Sequence, residues 1–92
     1  MPRFLIEVPH EPELLACARV VKIFLHTGSH FLTHADWGCK DGKHTAWFIA
    51  RVEDKDEARS IVPPQFRHQA RITRLNCFRL EEIDEILYQH QF

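Results

Sequence analysis

A chain of 92 residues is long enough for one hydrophobic core, so we expect a single domain over residues 1–92. Its net charge of −1 argues against nucleic acid as a partner and against binding to anionic membranes, both of which need a basic face. The apolar runs fall far short of the ~20 residues of a membrane span. The opening MPRFLIEV lacks the apolar region of a signal peptide, which predicts a cytoplasmic protein without a membrane partner.

The first part of the chain predicts a strand followed by a helix. Residues 3–8 alternate in the way of a β-strand, and Pro9 ends the run. Apolar residues then recur at helical spacing over residues 13–27, and Gly28 is a natural C-cap for that helix. The recurring residues, which we expect on the core side, are Leu14, Cys17, Ala18, Val21 and Leu25.

The next segment predicts a β-hairpin. Two β-type runs, residues 31–37 and 45–52, flank the sequence Gly-Cys-Lys-Asp-Gly-Lys. Asp-Gly between such runs is the strongest short-range hairpin signal, so we place a two-residue turn at Asp41 and Gly42.

Counting outward from that turn assigns the two faces of the sheet. Asp36 lies opposite Trp47, and strand alternation adds His34 to the same face. The same alternation adds Glu7 from the first strand and Arg71 from the last. The other face is apolar enough to lie under helices, so this polar and aromatic face is the predicted location of any ligand site.

The rest of the chain predicts a helix, a strand and a terminal helix. Asp54 opens the first of these with a capping-box pattern, and Pro63-Pro64 ends it. Residues 70–78 form the last predicted strand, and residues 80–89 form an amphipathic helix with acidic first turns.

The resulting order is β-α-β-β-α-β with an added C-terminal helix. This order predicts an α+β, ferredoxin-like fold, in which an antiparallel sheet has its first and third strands at the centre and its helices on one face.

The order and size of the chain resemble the small ferredoxin-like domains that pair through their sheets into dimeric α+β barrels. Within that set, Pro63-Pro64 and the segment Leu75-Asn76-Cys77-Phe78, placed before an Asp/Glu-rich helix, resemble uncharacterised bacterial families. The muconolactone isomerase family is similar in architecture. The resemblance implies the topology and a dimer, while no catalytic motif of that family matches residue by residue.

The pair His34 and Asp36 is the candidate for catalysis. A carboxylate two residues from an imidazole on one strand face can orient that imidazole and raise its basicity. Glu7, Trp47 and Arg71 would bind the ligand beside it. The alternative interpretation of the pair is a polar patch on an edge strand or a subunit contact.

Seven histidines raise the question of metal binding. On a strand, His30 and His34 would lie about 13 Å apart, too far to share an ion. Cys39 and His44 lie opposite each other in the predicted hairpin and could supply two metal ligands. No third ligand is evident, and a zinc site needs three or four. We therefore predict no metal and no cofactor.

The cysteines indicate a reducing compartment. Cys17, Cys39 and Cys77 are odd in number and far apart, which favours free thiols over a disulfide framework. Cys17 and Cys77 lie within apolar runs and are interpreted as small buried hydrophobes.

The functional hypotheses follow from the apolar character of the open face. Leu5, Leu32, Trp47 and Ile49 on one uncovered face predict a homodimer that buries them. The first hypothesis is a dimer whose cavity binds a small organic molecule. The alternative is an isomerase or cofactor-free oxygenase that uses His34 and Asp36, and a weaker alternative is a protein-interaction module.

Overall fold

The computed structural model describes residues 1–91 and has an α+β architecture, with helices packed on a four-stranded antiparallel sheet. The strands are β1 (Arg3–Pro9), β2 (Asp36–Trp37), β3 (Thr45–Arg51) and β4 (Arg71–Leu75). The helices are α1 (Leu14–His26), α2 (His30–Thr33), α3 (Lys55–Ile61) and α4 (Leu80–Gln89). Two 3₁₀ helices, Cys39–Asp41 and Pro64–Gln69, lie in the connections. Residue 92, the end of the predicted domain, lies outside the described residues.

The sheet order is β2-β3-β1-β4, so the first and third strands are central, as the element order predicts. Strand β1 pairs with both neighbours: Ile6 lies opposite Phe48 on β3 and opposite Ile72 on β4.

Alternation along the central strands separates a covered face from an open one. Phe4, Ile6 and Val8 of β1 are buried, together with Ala46, Phe48 and Ala50 of β3. Val20 and Phe24 of α1, Leu32 of α2 and Ala58 of α3 pack on them. The opposite surface has no helix from this core on it. We call it the open sheet face, and it consists of Arg3, Leu5, Glu7, Asp36, Trp47, Ile49, Arg51, Arg71, Thr73 and Leu75.

The predicted strand over residues 31–37 is wrong except for its last two residues, which form β2. Residues 30–33 form the short helix α2, because the Ser29 carbonyl accepts hydrogen bonds from both the backbone N–H and the hydroxyl of Thr33, at 2.9 and 2.8 Å. Leu32 is only 2% exposed and anchors this turn in the core. Leu32 therefore belongs to the covered side and not to the open sheet face.

The predicted two-residue turn at Asp41 and Gly42 is also wrong, although the predicted register is right. The chain forms the 3₁₀ helix Cys39–Asp41, and Gly42 ends it with a φ of 81°, a left-handed conformation that favours glycine. The ladder still places Asp36 opposite Trp47, and the Gly38 N–H donates to the Thr45 carbonyl at 3.1 Å.

The capping box that the sequence predicts after β3 is confirmed. The Glu57 N–H donates to the Asp54 carboxylate, and the Glu57 carboxylate accepts from the Glu53 N–H, each at 2.8 Å. After α3 the Arg67 guanidinium donates to the carbonyls of Val62 and Ser60 at 2.7 and 2.8 Å. These bonds fix the connection from α3 to β4.

Helix α4 extends away from the sheet. The molecule, with α4 included, measures 56 Å along its longest dimension and 29 and 21 Å along the other two. All of its residues are exposed except the half-buried Glu82 and Ile83. Within residues 1–91, no helix combines the length and apolar character needed to cross a bilayer.

Candidate metal centre

Four side chains of the types that bind transition metals converge at one end of the sheet. They are His10, Cys17, Cys39 and His44, and their ligand atoms all lie within 4.8 Å of one another. Each side chain is half-buried. They come from four different segments, so only the folded chain brings them together.

The two histidines are neighbours because the β1–β3 ladder continues beyond its regular end. Pro9 pairs with Thr45, and the backbone N–H of His10 donates to the backbone carbonyl of His44 at 3.0 Å. Residues opposite one another on antiparallel strands bring their side chains together. The two imidazole rings accordingly meet edge to face, with centroids 5.9 Å apart.

The two cysteines reach the histidines from the helical layer and from the β2–β3 connection. Cys17 lies in the first turns of α1, and Cys39 begins the 3₁₀ helix. Their Sγ atoms are 3.0 Å apart, and the Cys39 Sγ is 3.2 Å from His10 Nε2. Both are free thiols and half-buried. Cys77 is exposed, so the prediction that it is a buried hydrophobe is wrong.

Gly38 allows the connection to approach the sheet closely enough to place Cys39. A Cβ atom at this position would lie 2.6 Å from the Lys43 carbonyl oxygen and 2.8 Å from the Trp47 ring. Real Cβ atoms do not come that close to backbone, so only glycine fits here.

The surroundings of the cluster favour uncharged ligand groups. Burial raises the pKa of the Cys39 thiol to about 11, and the adjacent Cys17 thiol adds to the shift. Burial lowers the pKa of the His10 imidazole, and His44 acts in the same direction. Imidazole ligates metal in its neutral form, while a thiol must lose its proton, which a bound cation promotes.

Two buried nitrogen atoms at the cluster lack a hydrogen-bond partner within the described residues: Nδ1 of His10 and Nδ1 of His44. Buried polar atoms are nearly always satisfied, so an orphaned pair in one place calls for an explanation. A histidine that ligates a metal through one nitrogen commonly donates its other N–H to a second partner, such as a water molecule.

The arrangement fits tetrahedral zinc. Zn–S bonds of about 2.3 Å and Zn–N bonds of about 2.0 Å keep the ligand atoms about 3.3–3.8 Å apart. The two sulfur atoms are closer than this, at 3.0 Å, and no two ligand atoms are more than 4.8 Å apart, so shifts of about 1 Å would bring the four atoms into a tetrahedral shell. Two thiolates would balance the charge of a divalent ion, which lowers the cost of partial burial.

An open pocket of ≈ 770 Å³ lies directly over the cluster. Cys17, Cys39 and His44 form part of its wall, beside Trp37 and Lys40. The pocket gives an ion a route to the ligands from solvent.

The predicted ligand residues of the open sheet face lie in one row across the four strands. Asp36 pairs with Trp47, Trp47 with Glu7, and Glu7 with Arg71. The Trp47 indole N–H donates to the Glu7 carboxylate at 3.1 Å. The structure thus brings together four of the five predicted site residues.

His34 is absent from this row because it follows α2 instead of lying on a strand. Its Nδ1 lies 2.9 Å from the His30 carbonyl oxygen and 3.2 Å from the Thr33 hydroxyl. Its ring is 4.4 Å from that of His30, so the predicted separation of about 13 Å, which assumed a strand, is wrong. No described hydrogen bond joins His34 to Asp36.

Sequence reasoning found half of the metal cluster and missed the other half. Cys39 and His44 follow from hairpin pairing, whereas His10 and Cys17 come from the end of β1 and the start of α1. The spacing His10-x6-Cys17-x21-Cys39-x4-His44 contains no short ligand motif. The available signal was the position of His10 just beyond a central strand, which continues the ladder toward His44.

Comparison of the chain with protein-family models, with curated proteins and with solved structures finds no match.

Proposed function

We propose that this chain is a zinc-binding domain in which His10, Cys17, Cys39 and His44 hold one ion. The observation that carries the proposal is the convergence of four ligand atoms within 4.8 Å of one another. A set of two thiolates and two imidazoles suits zinc among the common divalent ions. Four protein ligands complete a tetrahedral shell, so the ion acts in structure and not in catalysis.

Zinc at this position joins three parts of the fold. It would link the end of the central strands, through His10 and His44, to the start of α1 and to the β2–β3 connection. Helix α1 has no side-chain cap at its N-terminus, and its first residues, Leu14 and Leu15, are 82% and 67% exposed. Ligation of Cys17 therefore fixes a helix end that packing alone holds weakly.

Cobalt(II) titration tests the site directly. Metal-free, reduced protein should take up one equivalent of cobalt with the visible absorption of a tetrahedral thiolate complex, and zinc should displace it. Cys17→Ser and His44→Ala should lower the affinity at least tenfold, while Cys77→Ser, which removes an exposed thiol, should have no effect.

His44→Cys separates a lost ligand from a damaged fold. Thiolate is an equivalent zinc ligand, so this variant should regain tight binding that His44→Ala lacks. Equal affinities for Cys17→Ser and the unaltered chain would contradict the proposal.

We also propose the finer features that accompany this function. The order β2-β3-β1-β4 supports a ferredoxin-like fold. The three free thiols suit the reducing cytoplasm, where thiolate ligands persist.

A second candidate function is the binding of a small planar molecule on the row formed by Asp36, Trp47, Glu7 and Arg71. The support is the alignment of an aromatic ring with charged groups on one surface. A planar aromatic carboxylate such as salicylate should quench the Trp47 fluorescence, and Trp47→Phe should abolish the response. Quenching that survives Trp47→Phe but disappears in Trp37→Phe would exclude this surface.

A further inference from the structure

Helix α4 has an apolar stripe that its own chain leaves uncovered. Leu80, Ile83, Ile86 and Leu87 recur at the spacing of one helix face. Leu80 is 73% exposed and Leu87 is 64% exposed. The helix extends away from the body of the molecule and carries the acidic residues Glu81, Glu82, Asp84 and Glu85 without any Lys or Arg.

The open sheet face is another uncovered surface with apolar residues. Its middle row contains Ile49, which is 51% exposed, beside the half-buried Leu5. Leu75 lies on the next row, at the edge of the sheet. Apolar surface of this extent normally has a partner.

The two surfaces are complementary in charge as well as in hydrophobicity. Arg3, Arg51 and Arg71 lie on the open sheet face, against the carboxylates Glu7 and Asp36, so this face has a net positive charge. On α4, helical geometry places Glu82 and Asp84 along the two borders of the apolar stripe. Arg79 at the N-cap forms an ion pair with Glu82 at 2.9 Å, so the helix has four carboxylates against this one arginine and remains acidic. An acidic, apolar helix fits a sheet with arginines around an apolar centre.

We propose that α4 of one copy of this chain packs on the open sheet face of a second copy, so that two copies exchange their C-terminal helices in a symmetric homodimer. Each copy then contributes one helix and one sheet, which is the self-complementary arrangement of a two-fold interface. Direct pairing of two open sheet faces would set two net positive surfaces against each other and would leave both helices uncovered.

This interface lies apart from the metal cluster. The cluster is at the end of β1 beyond Pro9, whereas α4 follows the opposite end of the sheet, after Leu75. A failure of zinc binding and a failure of helix exchange therefore give separate results.

Sedimentation of the full-length, zinc-loaded chain tests the exchange. The unaltered protein should be a dimer at micromolar concentration. Ile49→Lys on the sheet and Leu87→Lys on α4 should each produce a monomer, because each buries a lysine without a partner. Leu25→Lys, at a site on α1 that is equally exposed at 52%, is the matched control and should remain dimeric.

Mixing the two monomeric variants distinguishes exchange from other dimers. The Ile49→Lys chain has an unaltered α4, and the Leu87→Lys chain has an unaltered open sheet face. These two surfaces can pack on each other, so an equimolar mixture should form a dimer although neither variant does so alone. A monomeric unaltered chain, a Leu87→Lys variant that stays dimeric, or a mixture that stays monomeric would each overturn the proposal.

Discussion

Gly38 lies between β2 and the 3₁₀ helix that carries Cys39, and a side chain has no room there. We expect Gly38→Ala to destabilise the fold by about 1–3 kcal/mol, since backbone or the Trp47 ring must move to accept the methyl group. The same movement displaces Cys39, so zinc affinity should fall as well. Urea denaturation and zinc competition with a chelator measure the two effects.

Gly28→Ala is the control for that change. Gly28 has a φ of 71° and no atom within 4 Å of an added Cβ, so alanine there strains the backbone without crowding the metal site. It should cost about 1 kcal/mol of stability and leave zinc affinity unchanged. A Gly38→Ala variant that binds zinc as tightly as Gly28→Ala would contradict the role given to Gly38.

Individual residues also show how far sequence reasoning extends. The pairing of Asp36 with Trp47 was predictable, because it depends on counting along two short segments around one turn. The position of His34 was not, because Phe31–Thr33 resembles a strand locally while the burial of Leu32 in the core selects a helical turn. Tertiary packing overrides local propensity in such short segments.

At the scale of elements, the metal centre depends on how α1 and the β2–β3 connection dock on the sheet. The ligand side chains of both are half-buried at the cluster and lie in contact with each other there. We expect zinc removal to increase amide hydrogen exchange in the first turn of α1 and in residues 38–44, since these segments lose their common anchor.

Exchange in β4 and α3 supplies the internal reference for that experiment. The Arg59 guanidinium donates to the Ala70 carbonyl at 2.9 Å, and Arg67 holds the preceding connection, so these elements are fixed independently of the metal. An equal increase in exchange along the whole chain would show that the ion does not act as a local anchor. The absence of any increase in residues 38–44 would show the same.

The elements themselves were largely predictable, and the site they build was only partly so. Signals such as the capping box of α3 and the prolines after it act within a few residues. The apolar period of α1 predicted the helix but assigned the wrong residues to the core, since Leu14, Ala18 and Leu25 are exposed. The buried residues of α1 are Val20 and Phe24. The cluster instead requires the end of β1 to meet the start of α1 and a loop near residue 39. Contacts between segments 22 or 29 residues apart leave no local pattern in a single sequence.

At the scale of the whole molecule, the four-stranded sheet is covered on one face and bare on the other. A small domain buries a limited apolar area and is therefore only marginally stable. Both a bound ion and a second copy would add to its free energy of unfolding. At free zinc a thousandfold above Kd, binding contributes about 4 kcal/mol, which corresponds to a Tm increase of roughly 15–30 °C for a domain of this size. Helix exchange would cover the exposed apolar residues of α4 and of the open sheet face.

The metal content of the purified protein tests the central claim most directly. The chain is expressed without a histidine tag, purified under reducing conditions without a metal-affinity step, and measured by elemental analysis and zinc X-ray absorption. We expect one zinc per chain with two sulfur and two nitrogen neighbours, and loss of that zinc in Cys17→Ser but not in Cys77→Ser. Less than a tenth of an equivalent of metal, or a zinc shell made only of oxygen and nitrogen, would contradict the account.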